Sequence, residues 1–413
     1  LTERVANGHT GTLSEPSEET RDVLQSFRGV GTAGTWDGRR LSGEALAAHV
    51  TFEEWPADEP LPEWIDDLQE LIDTLSPTTD VPEWASNAPF AAVLCQYVDH
   101  AWASFAAAYP TARLTDAGEQ SLREILLERL VDVLAQAHHV DFVRFVAERE
   151  PELIREDRLS AASTEWHDRY VRAVGRERAA GFFEEYAVAA RLLVDTVRQW
   201  EDRLGAFCER LHDDWDAATG LVDGAPSAVT GVAAVGDRHA GNDCVLRVET
   251  DDGVVLYKPR SLAPERELYG LERDLAAAFE TVPELATPAL VAREGYGWVA
   301  EVTQESHDSL ASVADYYERA GALLAISYVL HTTDCHCGNV IAARESPVVI
   351  DPETVFEMTS RAATGTAPDP RGTNPTPPHP PAGPRAGVGA HGPGPGGPAG
   401  GNRARGDRVR GPA

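Results

Sequence analysis

Near residue 225 the apolar residues of this chain change their repeat, and that change restricts the fold more than any other feature. Before it, Leu193, Val197, Trp200, Leu204, Phe207 and Leu211 recur at steps of three and four, which places all six on one face of a long helix. Trp64, Leu68, Leu71 and Leu75 repeat the pattern, as do Leu122, Leu126, Leu130, Val133 and Leu134. After the breaker cluster GAPSAVTG the segments become short, β-branched and punctuated by turns. The expectation is an α+β chain: a helical part over residues 1–225, then a strand-rich unit.

Within that unit CVLRVET at 244–250 and VVLYK at 254–258 flank Asp251, Asp252 and Gly253, a hairpin signal with glycine available for positive φ. Leu268, Leu271, Leu275 and Phe279 predict a helix over 265–280, WVAEV at 298–302 a strand, and residues 316–331 another helix. PVVID at 347–351 reads as a short buried strand ending on an aspartate.

Charge removes two classes of partner. Acidic residues outnumber basic ones 67 to 36, a net charge of -31, so nucleic acid and anionic membranes would be repelled. No run of apolar residues is long enough to span a bilayer, and LTERVANGHT lacks the layout of a signal peptide; the expected location is the cytoplasm. Five scattered cysteines suit a reducing compartment, and a pair of small buried thiols is expected at Cys335 and Cys337 rather than a zinc site. His138 and His139 are expected to be half-buried helix residues.

Residues 361–413 carry 12 of the 28 prolines and 13 of the 35 glycines but no Leu, Ile, Phe, Trp or Tyr, too little apolar material for a core. Seven arginines against two aspartates reverse the charge there. Such composition is what GC-rich codons yield out of frame, so the expectation is a disordered tail or frameshift product.

The chemistry concentrates in TTDCHCGNVIAARESPVVIDPET, where Asn339 follows Asp334 by five residues and Asp351 comes twelve later. Kinase-type sites use this spacing: an aspartate acting on the hydroxyl, an asparagine holding Mg²⁺, and a second aspartate bridging metal and phosphates. Any one of the three could cap a turn or end a strand; three in register favour the site. Upstream, GDRHAGN at 236–242 offers Gly236 and Gly241 for close approach to phosphate, although taken alone such a pair is better explained by a hairpin turn. Lys258 is the chain's only lysine, and it stands at the end of the following strand, where a compact ammonium suits phosphate.

Taken together, GDRHAGNDCVLRVETDDGVVLYKPRSL, the D-C-H-C-G-N loop and VVIDPETVF resemble the dehydratase domain of class II lanthipeptide synthetases. EEYAVAARLLVDTVRQW in the helical half fits as well, and the resemblance covers most of residues 60–358. It implies a lipid-kinase-like two-lobe core, with the N-lobe over 226–305 and the start of a C-lobe over 306–360. It also implies ATP- and Mg²⁺-dependent phosphorylation of Ser and Thr in a precursor peptide with a leader sequence. Phosphate elimination to dehydroamino acids follows, in lantibiotic biosynthesis. Carried over by position, Lys258 would hold ATP phosphates, Asp334 would act on the hydroxyl, and Asn339 and Asp351 would hold Mg²⁺. His336, Asp237 and His239 fall on catalytic motif positions and Glu353 beside the metal, without individual roles.

Two departures stand out. Gly338 occupies a position where the family commonly has glutamate, and nothing after Phe356 matches the rest of the C-lobe or the cyclase, which implies an incomplete and impaired copy. The alternatives are a small-molecule kinase of the aminoglycoside or choline type and an inactive nucleotide- or peptide-binding remnant. Oligomeric state is not legible.

Overall fold

The computed structural model describes residues 60–156, 159–236, 243–307, 309–352 and 354–355. Ahead of them lies the backbone of one antiparallel pair, β1 (Ala33–Trp36) and β2 (Arg39–Ser42). Asp237, His239, Gly241, Glu353 and the 361–413 tail lie outside the described residues.

Helices come first: α1 (Trp64–Asp73), α2 (Ala91–Ala108), α3 (Asp116–Arg149), α4 (Pro151–Arg155), α5 (Leu159–Ala173), α6 (Ala179–Glu185), α7 (Ala187–Asp213) and α8 (Trp215–Thr219). The stripe from Leu193 to Leu211 is buried along α7, while Leu122, Leu126, Leu130 and Leu134 are buried along α3. Thr115 caps α3 by accepting from the Gly118 N–H, satisfying a donor that the first turn leaves open. His138 and His139 differ from the expectation of two half-buried rings. His138 is fully buried against Phe182 with its Nδ1 3.0 Å from the Tyr170 hydroxyl, whereas His139 is exposed. Burial lowers the His138 pKa to about 4, although Asp141 pulls it upward.

Strands follow: β3 (Val229–Val235), β4 (Val245–Thr250), β5 (Val254–Lys258), and, after α9 (Ala263–Ala278), β6 (Leu290–Arg293) and β7 (Tyr296–Ala300). They form one antiparallel sheet in the order β3-β4-β5-β7-β6. The β4–β5 hairpin matches the sequence reading, but Gly253 does not take positive φ. A Cβ there would meet the Val222 side chain at 2.5 Å, so glycine serves close approach instead.

Alternation along the strands gives the sheet two distinct faces. Leu246, Tyr257 and Trp298 form a cross-strand row packed on the helical layer, with Phe207 of α7 5.3 Å from the Tyr257 ring. Asp214, just after α7, accepts from Trp298 Nε1, Tyr296 Oη and Arg293 Nε at 2.9–3.0 Å, which fastens the sheet to that helix. Burial alone would raise its pKa, yet those donors hold it below the usual carboxylate range.

On the other side α9, α10 (Leu310–Leu330) and the hairpin β8 (Val340–Ala343) and β9 (Ser346–Val349) enclose a second core of Leu268, Tyr269, Leu285, Leu323, Ile326, Val349 and Val355. Phe279 is exposed rather than part of the α9 face, because the helix ends at Ala278 and Phe279 is already extended. The buried face runs through Glu265, Leu268, Tyr269 and Glu272. Among the described residues no helix is long and apolar enough to cross a membrane.

Candidate active site

Lys258 ends β5 directly opposite Gly297 of β7. A Cβ on Gly297 would lie 2.3 Å from Leu262 Cδ1, so the absent side chain is what lets Leu262 sink to full burial. That anchors the turn before α9, and three residues later Glu265 reaches Lys258 in the first turn of the helix.

Lys258 is 4% exposed, and its ammonium stands 3.2 Å from Glu265 Oε1 and donates to the Ile350 carbonyl at 2.5 Å. Burial lowers its pKa, while Glu265 pulls in the opposite direction. Among the described residues two of its three donors are thus engaged. Arg260 joins the same cluster, with Nη2 2.8 Å from Glu265 Oε1 and 2.5 Å from Asp351 Oδ1. Tyr269 adds a hydroxyl bond to the Val349 carbonyl at 2.7 Å, tying α9 to the strand that leads to Asp351.

The second cluster lies in the loop after α10. His331 ends the helix in the left-handed region, and Asp334 takes φ 63, a conformation that aspartate tolerates better than most side chains. Asn339 Nδ2 donates to both Asp334 O and Oδ2 at 3.1 Å. His336 Nε2 is 3.5 Å from Asp334 Oδ1, and its Nδ1 accepts from the Gly338 N–H at 3.0 Å. Asp334 and His336 are both more than half exposed.

One residue, Ile350, joins the clusters through its backbone. The Ile350 N–H donates to Asn339 O at 2.9 Å, while its carbonyl receives Lys258. Of the sequence-predicted residues the fold therefore links Lys258, Asp351, Asn339, Asp334 and His336. Gly236 stands at the end of β3 with φ 78 and has no side-chain role in either cluster. Cys335 and Cys337 are exposed, contrary to the expected buried thiols, because the loop that carries them runs over the surface. Glu265 was not singled out from the sequence, and an acidic residue in a first turn reads merely as a complement to the helix dipole.

The donor set fits a hard cation. With its nitrogen committed to Asp334, the Asn339 amide presents its carbonyl oxygen, and Asp351 supplies carboxylate. Among the described residues no cluster of three or more His, Cys, Asp and Glu is placed to hold a metal; Mg²⁺, which keeps waters and takes phosphate oxygens, needs few protein ligands.

A family model described as a domain of unknown function, DUF4135, matches residues 186–376. The chain is 28% identical over 141 residues to the lacticin 481/lactococcin biosynthesis protein LcnDR2 of Lactococcus lactis subsp. lactis, a match covering 32% of this chain. It spans 15% of that relative's length. Both matches support the resemblance read from the motifs: over part of its length the chain is similar to a protein of lacticin 481/lactococcin biosynthesis.

Proposed function

We propose that this chain is a lanthipeptide dehydratase with a kinase-like core, which uses ATP and Mg²⁺ to phosphorylate Ser and Thr of a leader-bearing precursor peptide in the cytoplasm. Loss of the phosphate then leaves a dehydroamino acid. The observation that carries the reading is the buried Lys258–Glu265 pair at a strand-to-helix joint, bound through Ile350 to the hairpin bearing Asn339 and Asp351. Kinase-type sites need such a lysine–glutamate pair and a metal-binding aspartate together. Five antiparallel strands with one helix inserted after the lysine strand support an N-lobe over 226–305, and α10 with the β8–β9 hairpin supports a C-lobe beginning near 306.

In this reading the remaining donor of Lys258 binds nucleotide phosphate, and Glu265 keeps the ammonium charged and aimed despite its burial. Asp334 accepts the proton of the peptide hydroxyl, and Asn339 fixes its carboxylate through Nδ2. His336, hydrogen-bonded in the same turn, orients Asp334. Asn339 Oδ1 and Asp351 would hold Mg²⁺, which when bound offsets charge on the phosphates.

Product mass tests the proposal. Incubated with ATP, Mg²⁺ and a precursor peptide, the chain should yield peptide heavier by a phosphoryl group or lighter by water. Phosphorylation of an aminoglycoside or choline with the peptide unchanged would favour a small-molecule kinase, and no change in any of them would reject catalysis.

A further inference from the structure

The cation nearest Asp351 belongs to a residue given no role above. Arg260 follows Lys258 by two residues and sets Nη2 between Asp351 Oδ1, at 2.5 Å, and Glu265 Oε1, at 2.8 Å. Its Nη1 donates to Glu265 Oε2 and to Ser261 O, each at 3.2 Å. Arg260 and Asp351 keep side-chain exposures of 26% and 36%, so this contact lies at the mouth of the cluster, unlike the enclosed Lys258–Glu265 pair.

We infer that Arg260 is a charge placeholder: without nucleotide its guanidinium neutralises Asp351, and when a metal–nucleotide pair enters, the divalent cation takes Asp351 while Arg260 turns its fork onto the phosphates. The inference rests on the nucleotide reading of this site.

Three observations argue for it. First, a guanidinium and a divalent cation at one carboxylate oxygen exclude each other sterically and repel, so Arg260 at Asp351 Oδ1 and metal there are alternatives. Second, among the described residues Lys258 and Arg260 already balance Glu265 and Asp351, so a bare cation would add charge to this cluster, and it enters more favourably with an anionic phosphate. Third, the Lys258 side chain is enclosed between Glu265 and the Ile350 carbonyl, whereas Arg260 is partly exposed and has the planar fork that pairs phosphate oxygens bidentately. The site is therefore built to bind metal and nucleotide together, with metal alone held weakly.

Manganese, visible by electron paramagnetic resonance, serves as the probe on the full chain. Arg260→Met should raise affinity for Mn²⁺ alone by about tenfold and lower affinity for Mn²⁺ with a fluorescent ATP analogue by about tenfold, the scale of one charge-assisted contact. Arg260→Met combined with Asp351→Asn should lose the gain in metal affinity. Opposite signs are what a structural role would not produce. Both affinities falling together, or an unchanged affinity for Mn²⁺ alone, would overturn the inference and leave the nucleotide reading standing. Failure of the unmodified chain to bind the Mn²⁺–nucleotide pair at all would overturn both.

Discussion

Lys258 and Glu265, seven residues apart, meet across the joint between β5 and α9 with Nζ 3.2 Å from Oε1 and side-chain exposures of 5% and 0%. Removing one member of so buried a pair leaves the other charge uncompensated, which typically costs about 3 kcal/mol. Glu265→Ala should therefore destabilise the chain by about that amount in denaturant unfolding and abolish nucleotide binding. Lys258→Met with Glu265→Leu should recover most of the stability but no binding. A Glu265→Ala variant within about 0.5 kcal/mol of the parent would contradict the pair's structural weight.

The two aspartates should separate by assay. Asp351→Asn is expected to lose metal-dependent nucleotide binding, since its carboxylate is assigned to Mg²⁺. Asp334→Asn should keep that binding and lose phosphoryl transfer, because its carboxylate meets Asn339 and His336 rather than the lysine cluster. Titration of both variants with ATP and Mg²⁺ checks this, and equal loss of affinity would mean the roles are misassigned.

Gly297→Ala tests how the fold positions the lysine. The new Cβ would meet Leu262 Cδ1 at 2.3 Å and the Val291 carbonyl at 2.7 Å, and the backbone atom cannot yield cheaply. Expected are a loss of about 2 kcal/mol in stability and weakened nucleotide binding through displacement of Glu265. Unchanged binding in a destabilised variant would show that Leu262 does not set the position of α9.

Much of this was legible in the sequence, for reasons that also explain the omissions. The buried stripe of α7 and the β4–β5 hairpin follow from periodicity and turn chemistry, which are local. Asp334, Asn339 and Asp351 were legible through spacing, because one loop and one hairpin carry all three. Glu265 and Arg260 were not, since only the packing of α9 against the sheet and the closure of the β8–β9 hairpin bring them to Lys258 and Asp351. Burial on α9 likewise defeats a hydrophobicity count, because two of its four buried positions are glutamates. The exposed thiols of Cys335 and Cys337 were misread from residue type alone, whereas loop position decides.

Glu272, the second of those glutamates, has its pKa raised to about 7, by burial first, with Arg273 pulling down. The folded state then binds more protons than the unfolded chain between about pH 4.5 and 7, so this group makes stability fall as pH rises through that window. Glu272→Gln should remove the penalty, raising the melting temperature by several degrees at pH 8 and by nothing near pH 4. Differential scanning at both pH values decides, and an equal gain at each would point to packing instead of charge.

Nucleotide phosphate beside Lys258 is the central claim, and the chain's composition allows a direct test. An acyl-phosphate derivative of ATP transfers its acyl group to a lysine beside the terminal phosphate, and Lys258 is the only lysine in the chain. Peptide mass mapping should find the label on Lys258, suppressed by excess ATP with Mg²⁺ and absent from the Asp351→Asn variant. Lys258 left unlabelled, or labelled to the same extent with and without competing ATP, would contradict the account.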